Sequence, residues 1–140
     1  MSSRVLVGLG VLLAAMAILA TGCGSTAGAG NLEGTEWVLE SWSVSSQDPA
    51  EFETTASFAD GAISGSAAVN TYSGPYTSDS DGSFSTGEIA QTLMAGSEPA
   101  MQAEQTYFEL LAQAQEYAVE GDTLTLLDEN GNELLIFASK

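Results

Sequence analysis

Histidine is absent from this 140-residue chain, cysteine occurs once, and Arg4 and Lys140 are the only cationic side chains. Without histidine there is no Ser-His-Asp or Cys-His nucleophile, and neither zinc nor haem can be held by the usual imidazole and thiolate ligands. A lone cysteine closes no disulfide within the chain. Against the two cations stand 19 Asp and Glu, a formal net charge of −17. Such a surface repels phosphate, which excludes DNA and RNA as partners and disfavours anionic lipid headgroups. Carboxylates in this number pair by chance, so a glycosidase-type pair of acids has no specificity here, and the chain reads as a non-enzyme. Taken alone, the acidity serves solubility or tolerance of a salty medium.

Charge is also missing from one long stretch. Residues 5–20 (VLVGLGVLLAAMAILA) are all apolar or glycine, follow Arg4, and run into Thr21-Gly22-Cys23. A basic start, an apolar run and small residues at a cleavage point make a secretion signal. The run is short for a membrane span and lacks a basic stop-transfer flank. Ala20-Thr21-Gly22-Cys23 resembles the bacterial lipobox, which implies removal of residues 1–22, acylation of Cys23 in the palmitate manner, and attachment to a membrane through that lipid anchor. Residues 24–31 (GSTAGAGN) continue as a flexible tether. The expected organisation is a signal peptide at 1–22, lipidated Cys23 and tether at 23–31, and one domain at 32–140 with a single core. The expected location is extracytoplasmic, on the cell membrane or the outer membrane.

Within the domain, residues 35–44 (TEWVLESWSV) are rich in strand formers and carry Trp37 and Leu39 on one face, Val38, Trp42 and Val44 on the other. A strand covered on both sides belongs to a curled sheet with something packed across it. Residues 47–53 read as a polar loop, and residues 57–64 as a hairpin about Asp60-Gly61. Short strands are predicted at 67–72, 75–77 and 83–89. The last section alternates at Tyr117 and Val119, Leu124 and Leu126, and Leu134 and Ile136, with turns at Gly121-Asp122 and Asn130-Gly131, which predicts a three-stranded meander. Between these β sections Ser97, Glu98 and Pro99 cap a helix to about residue 115, with Met101, Tyr107, Phe108, Leu111 and Ala112 on one broad face. Glu104 falls inside that apolar arc, where a carboxylate must reach water or be hydrogen-bonded. The fold class is α+β: a small antiparallel sheet curled toward a barrel, with one α-helix packed across it.

Two groups of residues invite a chemical reading. Laid on the twelve-residue calcium loop, Thr77 takes the first position, Asp79 the third, Asp81 the fifth, Gly82 the sixth, Phe84 the eighth and Glu88 the twelfth. Threonine in the first position and Gly74-Pro75 upstream depart from that pattern, and Asp, Ser and Gly gather in turns for conformational reasons. Asp79, Asp81 and Glu88 are the candidate ligands for calcium, the one cofactor the chain suggests. Trp37, Trp42, Tyr72 and Tyr76 could line a ligand groove, with core packing the commoner role for such aromatics.

Gly34 to Trp37 matches a Gly-x-x-Trp opening, and residues 65–76 (GSAAVNTYSGPY) match a glycine-rich run into Cys-Asn-x-Tyr-x-Gly-x-Tyr. Residues 92–96 (TLMAG) match Thr-x-Met-Ala-Cys, and Met101, Glu104 and Phe108 match a helix carrying Met-x-x-Glu and an aromatic. In this order the motifs resemble the META domain, the HslJ-like lipoprotein family, over nearly the whole domain. The resemblance implies a curled antiparallel sheet with one helix and a non-catalytic binding or envelope-stress role. It also implies that Asn70, Thr92 and Glu104 hydrogen-bond one another near the junction of helix and sheet. Val69 and Gly96 stand where the family usually has two cysteines, which implies a lost cross-link. The partner expected is an envelope protein or a small ligand; the alternatives are a calcium-dependent module built on Asp79, Asp81 and Glu88, and a cracked barrel carrying lipid or peptide.

Overall fold

The computed structural model describes residues 31–44 and 47–140. The signal segment, Cys23 and the tether to residue 30 lie outside the described residues. In chain order the strands are β1 (Thr35–Trp42), β2 (Thr55–Ala59), β3 (Ala62–Ser66), β4 (Thr71–Ser78), β5 (Phe84–Thr86), β6 (Ala90–Gln91), β7 (Glu116–Glu120), β8 (Thr123–Leu127) and β9 (Glu133–Ser139). The helix α1 (Glu98–Gln113) joins β6 to β7. Asp60 at φ 54° and Gly61 at φ 73° take the left-handed conformation that a two-residue hairpin turn requires, so β2 and β3 pair with Ala59 opposite Ala62.

All the pairings are antiparallel, in the order β5-β4-β3-β2-β1-β9-β8-β7, with β6 a second partner of β4. The two ends of this path meet. Phe84 N donates to Gln115 O and Tyr117 N to Gly82 O, both at 2.9 Å, around a bridge between Ser83 and Glu116. The result is an eight-strand, nearly closed antiparallel barrel with one helix, an α+β fold. Trp37, Leu39, Phe58, Ile63, Leu124 and Phe137 fill the interior, joined by Tyr107 from α1, which meets Tyr72 and Phe137 edge-on at centroid distances of 5.5 and 6.5 Å. Side chains thus occupy the lumen.

Several elements differ from the sequence-based expectation. Residues 67–70 form a turn, with Ala67 N donating to Asn70 O at 2.7 Å, and the strand begins only at Thr71. It then runs unbroken through Gly74-Pro75. The carbonyl of Pro75 still accepts from Gly87 N and the next amide, Tyr76 N, reaches Gly61 O, so proline removes one donor without ending the strand. Over residues 83–89 the pairing with β4 is confined to β5, because the chain at Glu88 and Ile89 passes over Gly74, where a Cβ would lie 2.7 Å from Glu88 O. In β9 the fully buried residues that pair with the core of β8 are Leu135 and Phe137, opposite Leu126 and Leu124; Leu134 is buried as well, and Ile136 only partly. Four apolar residues in a row carry no alternation, so the register with β8 decides the phase. A bulge between Leu39 and Ser41 bends β1, which ends at Trp42 and leaves Val44 exposed. The polar loop at 47–53 contains one 3-10 turn, Pro49–Phe52, capped by Asp48.

Candidate functional site

Asn70 closes the turn before β4 and is buried, with all of its side-chain hydrogen-bonding capacity used. Its Nδ2 donates to Glu104 Oε1 at 2.6 Å and to Met94 O at 3.3 Å. Its Oδ1 accepts from Thr92 Oγ1 at 2.9 Å and from Met94 N at 2.6 Å. The other oxygen of Glu104 accepts the backbone amides of Val69 at 2.9 Å and Asn70 at 2.6 Å. Thr92 Oγ1 also accepts from Thr71 N at 3.2 Å. Three segments distant in sequence, the 67–70 turn, the 92–94 stretch and α1, are therefore tied by one polar knot. Because the knot takes up the donors and acceptors of its members, it holds structure and leaves little for chemistry.

The knot has a second consequence. Asn70 grips Met94 by both its N–H and its carbonyl, which turns the flanking side chains outward. Leu93 is 91% exposed and Met94 63%. Ser97 then starts α1, its hydroxyl accepting from Ala100 N at 3.4 Å, with Pro99 in the first turn. The helix buries Ala103, Glu104, Tyr107, Leu110 and Leu111. Met101 and Ala112, which the periodicity places on one broad apolar face with Tyr107 and Leu111, are exposed, and Phe108 is half-buried. These three residues form a stripe beside the 93–96 stretch, and Phe108 also packs against the core, meeting Tyr72 edge-on at a centroid distance of 5.4 Å. Between stripe and stretch lies an open groove of about 1000 Å³, floored by Leu93, Met94, Met101, Phe108 and Ala112 and edged by Glu98, Gln102, Gln105 and Glu109. Asn70 and Glu104 reach its base. The sequence reading missed this groove; its trace was an apolar arc on α1 too broad for one contact face, next to Leu93-Met94, two large apolar residues outside every predicted strand and helix.

Asp79 and Asp81 sit in the turn between β4 and β5, and both face Ser83. Asp81 Oδ1 accepts Ser83 N at 2.9 Å and Ser83 Oγ at 2.7 Å, while Asp79 Oδ2 accepts the same hydroxyl at 3.3 Å. Those bonds hold the Asp81 carboxyl below its ordinary pKa, the Ser83 backbone amide contributing most. Glu88 does not join them. It lies beside Gly74, four residues along β4 from Ser78 and so about 13 Å from the turn. Among the described residues no group of three or more His, Cys, Asp or Glu is placed to hold a metal ion. Gly82, at φ 92°, instead serves closure of the barrel, since its carbonyl receives Tyr117 N.

The remaining aromatics are structural. Tyr72 Oη donates to Thr55 O at 2.7 Å, which leaves Tyr107 as the donor in the 2.6 Å bond between the two hydroxyls. Burial raises the pKa of both. Tyr76 Oη donates to Glu33 Oε2 at 2.5 Å, and that bond lowers the pKa of the exposed Glu33 carboxyl. Trp42 Nε1 donates to Gln47 O and Trp37 Nε1 to Thr35 Oγ1.

The model of the META domain family matches residues 30–140. The chain belongs to the META domain family. Solved structures similar to this META domain include an NMR structure of a protein from Burkholderia xenovorans, 24% identical with a TM-score of 0.63, over 78% of this chain and 83% of that one. A second NMR structure is 23% identical with a TM-score of 0.55, over 76% and 90% of the two chains. A crystal structure of a DUF4847 family protein from Bacteroides vulgatus is 23% identical with a TM-score of 0.51, over 63% and 61%. These likenesses establish the fold alone. No curated protein matches the chain.

The two positions where the META resemblance expects cysteine come together across the knot. A Cβ built on Gly96 lies 3.5 Å from Val69 Cβ, within the span of a disulfide. The same point is only 2.6 Å from Val69 Cγ2. Valine thus fills the volume that glycine leaves, so the two replacements fit each other.

Proposed function

We propose that this META domain is the ligand-binding part of an extracytoplasmic lipoprotein, anchored to the membrane through Cys23 and working without catalysis. The observation that carries the binding reading is the groove beside α1. Among the described residues, Leu93, Met94 and Met101 are three of the four exposed large hydrophobic side chains, and all three line that one groove. Exposed apolar surface gathered in a concavity marks an interaction site, whereas scattered exposed residues do not. The non-catalytic reading is supported by the lack of histidine and by the engagement of Asn70, Thr92 and Glu104 with one another and with backbone amides in the knot. The lipobox around Cys23 supports the anchor. With the lumen filled by side chains, the groove is the better place for a carried lipid or peptide than the barrel interior.

Two measurements test this. Cells expressing the chain and fed labelled palmitate incorporate the label, and Cys23→Ser abolishes it; label retained in the variant would remove the anchor from the account. The neutral probe N-phenyl-1-naphthylamine brightens on binding the purified domain, and Met101→Ser with Leu93→Ser removes the signal. A probe signal indifferent to those exposed positions would place binding elsewhere.

A further inference from the structure

The groove has a length, a floor and a charge, and together they specify an occupant. Along α1 it extends from Glu98 to Ala112, about 21 Å at the helical rise. The lining residues recur at helical spacing in two stripes, apolar at Met101, Phe108 and Ala112, and polar at Glu98, Gln102, Gln105 and Glu109. An elongated trough of this kind fits a chain segment better than a compact molecule. Two methionines in the floor, Met94 and Met101, supply side chains that adapt to varied apolar shapes.

The rim is acidic. Glu98 and Glu109 face the groove, and among the described residues the one cationic side chain belongs to Lys140. Lys140 is not among the residues that line the groove, and its backbone amide is bonded to Glu36 O on β1. The formal net charge of −17 opposes a second copy of the chain, an anionic lipid and a nucleic acid alike. Resting on the binding-module reading above, we propose that the groove receives a basic amphipathic segment of another polypeptide, its apolar face on Leu93, Met101 and Phe108 and its cations on Glu98 and Glu109. The arrangement is the helix-in-groove mode with acidic edges.

The test uses a fluorescent amphipathic Leu/Lys peptide about 14 residues long, a length chosen to match the helical span of the groove. Its scrambled isomer and a Leu/Glu counterpart serve as controls. The Leu/Lys peptide binds the domain, the controls bind about tenfold more weakly or not at all, and raising sodium chloride from about 50 to about 300 mM weakens binding about tenfold. Leu93→Ser with Met101→Ser, both at exposed positions, weakens binding about tenfold at unchanged melting temperature, and Glu98→Gln with Glu109→Gln does the same through the rim. Binding indifferent to the floor variant would mean attraction by net charge alone and would overturn the inference. If the neutral naphthylamine probe enters the groove while the Leu/Lys peptide does not bind, the inference falls and the binding-module reading stands. If neither binds and the domain sediments as a dimer that Leu93→Ser dissociates, the groove is a self-interface and both readings fall.

Discussion

Glu104 accepts three N–H bonds in a site 8% exposed, so its two oxygens are matched to donors on Val69 and Asn70. Glu104→Gln replaces one oxygen with an amide, which sets donor against donor opposite Asn70. Turning the Asn70 amide over moves the conflict to Thr92 and Met94. The substitution is expected to lower stability by about 1–3 kcal/mol in urea denaturation, with an unchanged slope. Gly65 carries a different constraint. A Cβ there would lie 2.2 Å from Thr55 O, the carbonyl held over it by Tyr72 Oη. Gly65→Ala is expected to cost about 3 kcal/mol by the same assay, because the obstacle is backbone. These two residues differ in how far the sequence revealed them. A carboxylate inside an apolar arc announces that it needs partners, whereas the need for glycine at residue 65 arises from a carbonyl ten residues earlier on a neighbouring strand.

At the scale of elements, the joint between the 67–70 turn and the 92–97 stretch admits a direct test. Val69→Cys with Gly96→Cys is expected to cross-link in oxidising buffer and to raise stability by about 3 kcal/mol, read as the difference between oxidised and reduced melting curves. Free thiols remaining under oxidation would contradict the geometry. The turns between strands make a pH prediction. Asp128 is held below its ordinary value of 3.8, chiefly by the Asn132 side chain, and Asp81 by the Ser83 amide; Glu33 is held below 4.5 by Tyr76. A carboxyl whose pKa is lower folded than unfolded contributes stability that is complete above the unfolded value and is lost as pH falls through the folded one. The melting temperature should therefore fall as the solution is acidified below about 4.5, and Asp128→Asn should flatten part of that fall. Strands with clean alternation and Asp-Gly or Asn-Gly turns were legible in sequence. The phase of β9 was not, because Leu134, Leu135, Ile136 and Phe137 are all apolar and only pairing with β8 selects the inward pair.

The whole molecule is a barrel whose charge has almost one sign. Like-charge repulsion across 19 carboxylates opposes compaction, so sodium chloride raised from about 10 to about 300 mM should increase the melting temperature by several degrees at neutral pH. A flat response would show that the carboxylates are spaced widely enough not to interact. The barrel and helix were legible as a class from turns, periodicity and the META motifs. The groove was not, because it exists only where α1, the 93–96 stretch and β6 are brought together, and because Met101, Phe108 and Ala112 look from sequence like more of the core face. The central claim is that this surface binds while Cys23 holds the domain to a membrane. Native mass spectrometry of the full-length protein, released from membranes in mild detergent, tests both halves at once. The account predicts a mature chain lacking residues 1–22, acyl mass on Cys23, and a non-covalent partner that Leu93→Ser with Met101→Ser removes. An unmodified Cys23, or a partner retained by that variant, would contradict it.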